Sequence, residues 1–229
     1  MSFTYLLVDL LAILMPLIFS FHPKINFNRE FRYFFPANLI AAIIFISWDI
    51  IFTAKGVWGF NQRYTLGYNI INLPVEEYLF FFCIPFSSIF TFYCLDKFFF
   101  IAWQMSFEKI FVIAISFFLL VIGTYNIKLS YTSTTLISTA ILLLLLKFVF
   151  NVDWIGKFFT AYLVLMIPFC IVNGILTGSG LEKPVVWYNN NENLRLRLWT
   201  IPVEDVFYGM ELLMLVLFFY QRFRHARDK

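Results

Sequence analysis

The chain has 229 residues, of which 61% are hydrophobic, 22% aromatic and only 14% charged. Soluble domains carry about a quarter charged residues, so this composition excludes an ordinary soluble protein and predicts a membrane protein. The net charge of +3 is small, and the basic residues lie between apolar runs, which excludes a nucleic-acid-binding surface.

Seven apolar runs are long enough, or nearly so, to cross a hydrocarbon core about 30 Å thick. They are continuous rather than alternating, which predicts helices and excludes barrel strands. In chain order they cover residues 3–20, 34–53, 75–95, 110–125, 132–150, 158–177 and 203–220. We therefore expect an all-α membrane protein with seven transmembrane helices, the fourth being the shortest.

The lysine and arginine residues predict an orientation. After seven crossings the two termini lie on opposite sides, with eleven basic residues on the C-terminal side and six on the N-terminal side. Cytoplasmic loops carry the excess of positive charge. We expect a cytoplasmic C-terminus and an external N-terminus, in the plasma (inner) membrane.

The second half of the sequence repeats the first. Residues 34–53 align with 158–177 at a shift of 124, whereas a Pro-Val-Glu phrase recurs at a shift of 128. A four-residue insertion in the second connecting loop reconciles the two shifts. We predict two parallel three-helix repeats, residues 1–100 and 131–229, joined by a linking helix within residues 101–130.

Each Pro-Val-Glu phrase places two adjacent acids at the head of an apolar run. The acids are Glu76, Glu77, Glu204 and Asp205. Such a pair is costly in a membrane unless it caps the helix, shares a proton or does chemistry. Carboxyl groups in a poorly solvated site have raised pKa values, and a second carboxyl close by raises one of them further. One acid could then donate a proton while the other accepts one.

Helix capping explains part of this arrangement. Pro74 and Pro202 precede the acids, and proline at the first helical position loses no hydrogen bond, while acids in the first turn complement the helix dipole. Neighbouring residues differ by about 100° around a helix, so the acids of one pair cannot point in one direction. We expect one acid of each pair to serve capping and the second to carry proton chemistry.

Further ionisable residues interrupt the apolar runs. Asp9 and Asp49 fall at the same membrane depth as the acidic pairs in the predicted topology, which indicates a shared site. Lys147 lies near the end of the fifth run, where its side chain is expected to snorkel to the interface. Glu211 lies two turns after Glu204 and is either a second proton-handling group or an inter-helix hydrogen-bond partner.

Residues outside the runs are less informative. Glu192 and Arg197, in the loop before the seventh run, are either solvated charges or a cover over the site. Trp48 is a candidate site residue because it lies beside Asp49. Five tryptophans near run ends predict an interfacial aromatic belt: Trp58, Trp103, Trp154, Trp187 and Trp199. Three cysteines within the runs are expected to be small buried apolar residues: Cys83, Cys94 and Cys170.

Familiar cofactor motifs do not occur. The sequence contains neither a dinucleotide-binding glycine motif nor a P-loop, and His22 and His225 are remote from the acids. We therefore expect no metal and no cofactor. The chemistry that remains is one that acids, bases and a shaped apolar cavity perform.

Six segments resemble the lycopene cyclase domain. They are residues 48–53, 56–61, 73–77, 173–174, 184–190 and 200–205, and they include Trp48, Asp49 and Asn173 beside the two acidic phrases. That family occurs as two three-helix subunits or as their fusion, and this sequence is similar to the fused form. The resemblance implicates Glu76, Glu77, Glu204 and Asp205 in catalysis.

The resemblance also implies a reaction. The ends of lycopene would cyclise to give γ-carotene and then β-carotene, an isomerisation without net redox change. A protonated carboxyl would donate to the terminal double bond, the cation would close the ring, and a carboxylate would remove a ring proton. The implied partners are lycopene and other carotenoids, the lipid bilayer, and other enzymes of the carotenoid pathway.

Two alternatives remain open from the sequence. Within the family, the protein could be an ε-ring or longer-chain carotenoid cyclase. From another class, a small membrane transporter would also combine internal repeats with intramembrane carboxylates.

Overall fold

The structure, a computed structural model, describes residues 3–99 and 103–227. Within these ranges the chain forms seven α-helices. They are α1 (Thr4–Phe19), α2 (Phe31–Ala54), α3 (Val75–Phe98), α4 (Met105–Tyr125), α5 (Ser130–Leu144), α6 (Ile155–Leu176) and α7 (Val203–Arg227). Each apolar run coincides with one helix, so the all-helical prediction is confirmed. The outer ends of the two predicted repeats, and the junction at residues 100–102, lie outside the described residues.

Short strands, which the sequence did not predict, join the helices at one end of the bundle. The strands are β1 (Trp58–Phe60), β2 (Asn69–Ile70), β3 (Leu73–Pro74), β4 (Val186–Tyr188), β5 (Arg197–Leu198) and β6 (Ile201–Pro202). They form three antiparallel pairs, β1 with β4, β2 with β3, and β5 with β6. We call this the strand end of the bundle. Only the β1–β4 pair joins the two halves of the chain, with Gly59 opposite Trp187 at its centre.

The helix order in space differs from the order in the chain. The closest helix neighbours are α1 with α3, α2 with α7, and α5 with α7, while α4 packs on α5 at the periphery. Buried aromatic rings fill much of the interior; Phe27, for example, contacts Phe86 edge to face at 5.7 Å between ring centroids. The central helices α3 and α7 carry the two acidic pairs in their first turns.

The outer surface of the bundle is strongly apolar. Leu163 on α6 and Phe117 on α4 are about 70% exposed, and many large apolar side chains on other helices are also exposed. Exposed apolar surface on this scale marks contact with lipid or with another protein. Among the described residues, five helices are long and apolar enough to cross a bilayer, and α1 is a shorter apolar helix. The chain thus has the features of a membrane protein.

Local geometry recurs between the two halves at the shift of 128. Ile71 and Trp199 both adopt left-handed backbone, with φ of 58° and 59°. The backbone N–H of Val75 donates to Tyr68, and that of Val203 donates to Leu196. The strands β1 and β4 are themselves 128 residues apart, and they pair symmetrically about Gly59 and Trp187, with Trp58 opposite Tyr188 and Phe60 opposite Val186.

Candidate active site

A cavity of about 400 Å³ lies between α1, α3, α6 and α7 and is closed at the strand end by β1 and β4. This volume is within the range of small-molecule sites, roughly 300–1,000 Å³. Most of its wall is apolar, but three carboxylic acids reach it: Asp49, Glu77 and Asp205. They come from α2, α3 and α7, so the fold brings together acids that are 128 residues apart in sequence.

Glu77 lies in the first turn of α3 and is almost completely buried. The Tyr5 hydroxyl, from the start of α1, donates to Glu77 Oε2 over 2.6 Å. The Asp49 and Glu77 carboxyl groups also lie beside each other. Two carboxyl groups can hydrogen-bond to each other only when one of them carries a proton, because an ionised carboxylate has no donor. Two adjacent carboxyl groups of this kind are therefore suited to sharing a proton.

Asp205 occupies the matching position at the start of α7. Its two oxygens accept hydrogen bonds from the hydroxyls of Tyr131 and Tyr188, over 2.5 and 2.9 Å. Burial and the adjacent Asp205 raise the pKa of the Tyr188 phenol well above its usual value. Tyr188 therefore stays a neutral hydrogen-bond donor. Two phenol donors are an arrangement that suits an ionised carboxylate.

The first acid of each pair has a different place. Glu76 Oε1 accepts from the backbone N–H of Leu66 over 2.5 Å, and Glu204 Oε1 accepts from that of Leu194 over 2.8 Å. Both donors lie ten residues before their acid, at the shift of 128. Neither acid lines the cavity. Glu76 and Glu204 thus hold the preceding loops against the helix starts.

The predicted capping role is corrected in detail. Pro74 and Pro202 lie one residue before α3 and α7 and end the β3 and β6 strands, rather than occupying the first helical position. The first acid binds loop backbone that precedes the helix instead of the helix N-terminus itself. Neighbouring residues point about 100° apart around a helix. When the first acid of a pair points to the loop, the second acid therefore points to the cavity.

An aromatic cluster surrounds the acids. Trp58 and Tyr131 meet at 5.0 Å between centroids, Tyr131 stacks on Tyr188 at 5.9 Å, and Tyr208 lies 6.1 Å from Trp58. All four residues line the cavity. Trp58 is only 4% exposed, so its prediction as an interfacial belt residue is wrong; it packs inward because β1 turns back over the cavity. Trp154 is also buried, whereas Trp187 and Trp199 are exposed.

The other predicted site residues divide into two groups. Asn173 lines the cavity, and its amide donates to Phe169 on its own helix over 3.3 Å. Trp48 packs against Tyr208, 5.3 Å between centroids, outside the cavity lining. The Arg197 guanidinium lies 5.5 Å from the Tyr188 ring and donates to Asn190, so it covers the site from outside.

Glu211 and Asp9 lie apart from the cavity. Glu211 accepts hydrogen bonds from Ser138 and Thr139 on α5, over 2.7 and 3.2 Å. It thus forms the inter-helix hydrogen bonds that were one of its two predicted roles. Asp9, on α1, is fully buried near Glu77, and neither of its carboxyl oxygens has a hydrogen-bond partner among the described residues. Glu192 accepts from the backbone of Ser130 and Tyr131, anchoring the start of α5.

Lys147 does not snorkel. Its side chain is 6% exposed and forms an ion pair with Glu108, which also accepts from the Gly156 backbone N–H over 2.9 Å. A π-helical turn, Leu145–Val149, continues α5 and contains this lysine. The prediction failed because α4 begins at Met105, five residues before the apolar run, and so brings Glu108 into the bundle. Cys83 is buried as predicted, but Cys94 and Cys170 are only half-buried.

The sequence did not identify the tyrosines that hold the acids. Tyr5 and Tyr131 occupy matching places at a shift of 126, so the internal repeat could have revealed them. At the shift of 128, Tyr188 and Tyr208 correspond to Phe60 and Phe80, which have no hydroxyl. The repeat therefore gives no indication of these two tyrosines. No cluster of His, Cys, Asp or Glu suited to a metal ion occurs within residues 3–99 and 103–227.

Comparison with known proteins adds one finding. The sequence model of the family described as lycopene cyclase matches residues 2–95 and 128–223. No curated protein and no solved structure matched the sequence. The two matched segments cover more than half of the chain, contain both acidic pairs, and leave α4 between them. The chain therefore belongs to the lycopene cyclase family.

Proposed function

We propose that this protein is a lycopene β-cyclase that closes the ends of lycopene by acid and base chemistry, without a cofactor. One observation carries the proposal. Asp49, Glu77 and Asp205 line a single apolar cavity in which aromatic rings surround the acids. Family membership supports a carotenoid substrate.

The reaction begins with a proton. The Asp49–Glu77 pair, which holds one proton between two carboxyl groups, donates it to the terminal double bond of lycopene. A tertiary cation results. The next double bond along the chain gives its electron pair to the cationic carbon, which closes the ring and moves the positive charge into it.

Asp205 then removes a proton from the ring. The electron pair of the broken C–H bond forms the ring double bond, and the charge is cancelled. One proton enters and one leaves, so the product is an isomer and no oxidant is needed. Because Tyr131 and Tyr188 fix both oxygens of Asp205, the base meets one particular ring proton, and the position of that proton sets a β ring in place of an ε ring.

The aromatic cluster has two effects on the cation. The faces of Trp58, Tyr131 and Tyr208 attract a positive charge by cation-π interaction, worth about 2 kcal/mol or more when desolvated. Burial also excludes water, which would otherwise add to the cation and give an alcohol.

We further propose the membrane arrangement. All seven helices cross the bilayer as two parallel three-helix repeats, residues 1–100 and 131–229, with residues 101–130 as linker. The N-terminus is external and the C-terminus cytoplasmic, in the plasma (inner) membrane. Recurrence of hydrogen bonds at the shift of 128 supports the repeat. Reporter fusions at the two termini test it, and two termini in one compartment would refute the odd number of crossings.

Expression in lycopene-producing cells tests the catalytic proposal. Pigments are extracted and separated by chromatography, and β-carotene is the expected product. An ε-ring product would correct the assignment of the ring type. Unchanged lycopene, in cells where gel filtration of the solubilised protein shows a folded species, would refute the cyclase and favour the transporter alternative.

A further inference from the structure

The cavity continues far from the acids. Along α3 its lining includes Ser87, Ser88 and Thr91. Thr91 lies fourteen residues after Glu77, which at 1.5 Å per residue is about 21 Å along the helix. The opposite wall is α6, where the lining includes Pro168 and Phe169. A site for the reacting end alone would not need this length.

The floor of this extension is formed by small residues, and two of the three hydroxyls there, those of Ser87 and Thr91, already bind backbone carbonyls. Ser87 Oγ donates to the carbonyls of Ala12 and Cys83, and Thr91 Oγ1 donates to that of Ser87, all over 2.8–2.9 Å. With these two hydroxyls satisfied by backbone, most of the surface left to a ligand is apolar. A long hydrocarbon fits this lining, whereas a polar solute would find few partners.

The extension opens sideways. Leu11 on α1 lines the cavity although it is 67% exposed on the outer surface, and Pro168 on α6 is likewise both lining and exposed. The helices α1 and α6 touch only slightly, whereas α1 packs closely on α3. The opening therefore faces the medium around the apolar helices.

Among the described residues of the second half, bulky side chains occupy the positions that match this extension. At the shift of 128, Ser87, Ser88 and Thr91 correspond to Leu215, Val216 and Phe219. Val216 is fully buried, and the other two pack against the main apolar core. Bulky side chains thus fill the matching seam, and α2 packs closely on α7 there.

We propose that the stripe Ser87, Ser88 and Thr91 is the binding groove for the polyene chain, and that the carotenoid enters it end first from the bilayer between α1 and α6. This inference rests on the proposed function for the identity of the ligand. The groove holds the unreacted chain while the acids at its strand end act on one terminus.

Pigment binding tests the groove separately from catalysis. The Glu77→Gln protein is produced in lycopene-containing cells and purified, and its visible absorbance gives the bound lycopene per protein. Adding Thr91→Phe is expected to abolish the bound pigment, because the ring fills the groove. Adding Ser47→Phe, a similar enlargement on the exposed face of α2, is expected to leave it unchanged. Full pigment in the Thr91→Phe protein would overturn the groove.

Thiol labelling gives a second measurement, which remains informative if the Thr91→Phe protein does not fold. In a background whose three native cysteines are alanine, Thr91→Cys should react with a membrane-permeant thiol reagent more slowly when lycopene is bound. Ser47→Cys should react equally with and without lycopene. A rate at Thr91→Cys that is the same with and without lycopene would refute the groove. Protection of Thr91→Cys by lycopene, together with no ring formation by the wild-type protein, would refute the cyclase while supporting the groove.

Discussion

The Tyr208 hydroxyl, near the start of α7, donates a 2.8 Å hydrogen bond to Asp49 Oδ1, near the end of α2. This contact joins the two halves of the chain across 159 residues and holds Asp49 beside Glu77. The ring of Tyr208 separately packs on Phe45 and Trp48. Its hydroxyl and its ring can therefore be tested apart.

Tyr208→Phe removes the hydroxyl and keeps the ring. A hydrogen bond to a charged group contributes about 1.5–3 kcal/mol, so we expect the rate constant for cyclisation to fall roughly tenfold to a hundredfold, with KM little changed. Cyclisation by purified protein in lipid vesicles measures both constants. Tyr125→Phe, at a tyrosine exposed on α4, is the matched control. An unaltered rate in Tyr208→Phe would show that the hydrogen bond from Tyr208 to Asp49 has no part in the mechanism.

Glu77→Gln and Glu76→Gln separate the two acids of one pair. Glutamine at position 77 cannot donate a carboxyl proton, and loss of general acid catalysis costs about 10²–10⁴ in rate. Glutamine at position 76 retains the oxygen that accepts from the Leu66 N–H, so its cost should be much smaller. The rate per folded molecule, normalised by gel filtration, distinguishes them. A larger loss at position 76 would reverse the assignment of roles.

The same comparison in the second half uses Asp205→Asn and Glu204→Gln. Asparagine at position 205 cannot accept the ring proton, so the loss should be at least as large as for the Glu77 variant. Glutamine at position 204 keeps an oxygen that can accept from the Leu194 N–H and from the Thr132 hydroxyl. Pigment profiles of the two variants, each expressed beside the wild type, provide the readout. Activity that survives in the Asp205 variant would mean that another group takes the ring proton.

The sequence was sufficient for the helices and for the different directions of the two acids in each pair. Apolar runs determine where helices form, and the angle between neighbours forces the two acids apart. It could not show which acid faces the cavity, because that depends on Leu66 and Leu194, loop backbone ten residues away. Nor could it show a cavity at all, since the space between the helices depends on side chains from six of them.

Glu108 shows a different limit. The polar residues before the fourth apolar run are typical of a loop at the membrane surface. Burial of Glu108 is compensated by two groups distant in sequence, the Lys147 side chain and the Gly156 backbone N–H. A lysine near a run end looks the same in sequence whether it snorkels or pairs. The pairing is a tertiary property.

Lys147→Met tests this buried ion pair. Removing one partner leaves an uncompensated buried charge, which costs about 3–5 kcal/mol, so the unfolding midpoint of the solubilised protein should fall markedly. Adding Glu108→Gln removes that charge while keeping an acceptor for the Gly156 N–H, and should restore much of the loss. Arg63→Met, which breaks an exposed pair with Glu182, should change little. Equal stability of Lys147→Met and wild type would show that the pair does not hold α4.

The single cavity predicts how two rings are made. All three acids face one cavity, and Leu215, Val216 and Phe219 fill the matching seam of the second half. In the proposed mechanism the two ends of a lycopene molecule therefore use the same acids in turn, and the one-ring product leaves the groove and enters again by its other end.

With lycopene in excess over enzyme, γ-carotene should accumulate first and β-carotene should follow after a lag. Chromatography of samples taken through the time course measures this order. The Glu77→Gln and Asp205→Asn variants should lose both ring closures together, because each acid serves both ends. Formation of β-carotene without free γ-carotene, or a variant that makes only the first ring at the normal rate, would instead require a second site elsewhere in the bundle.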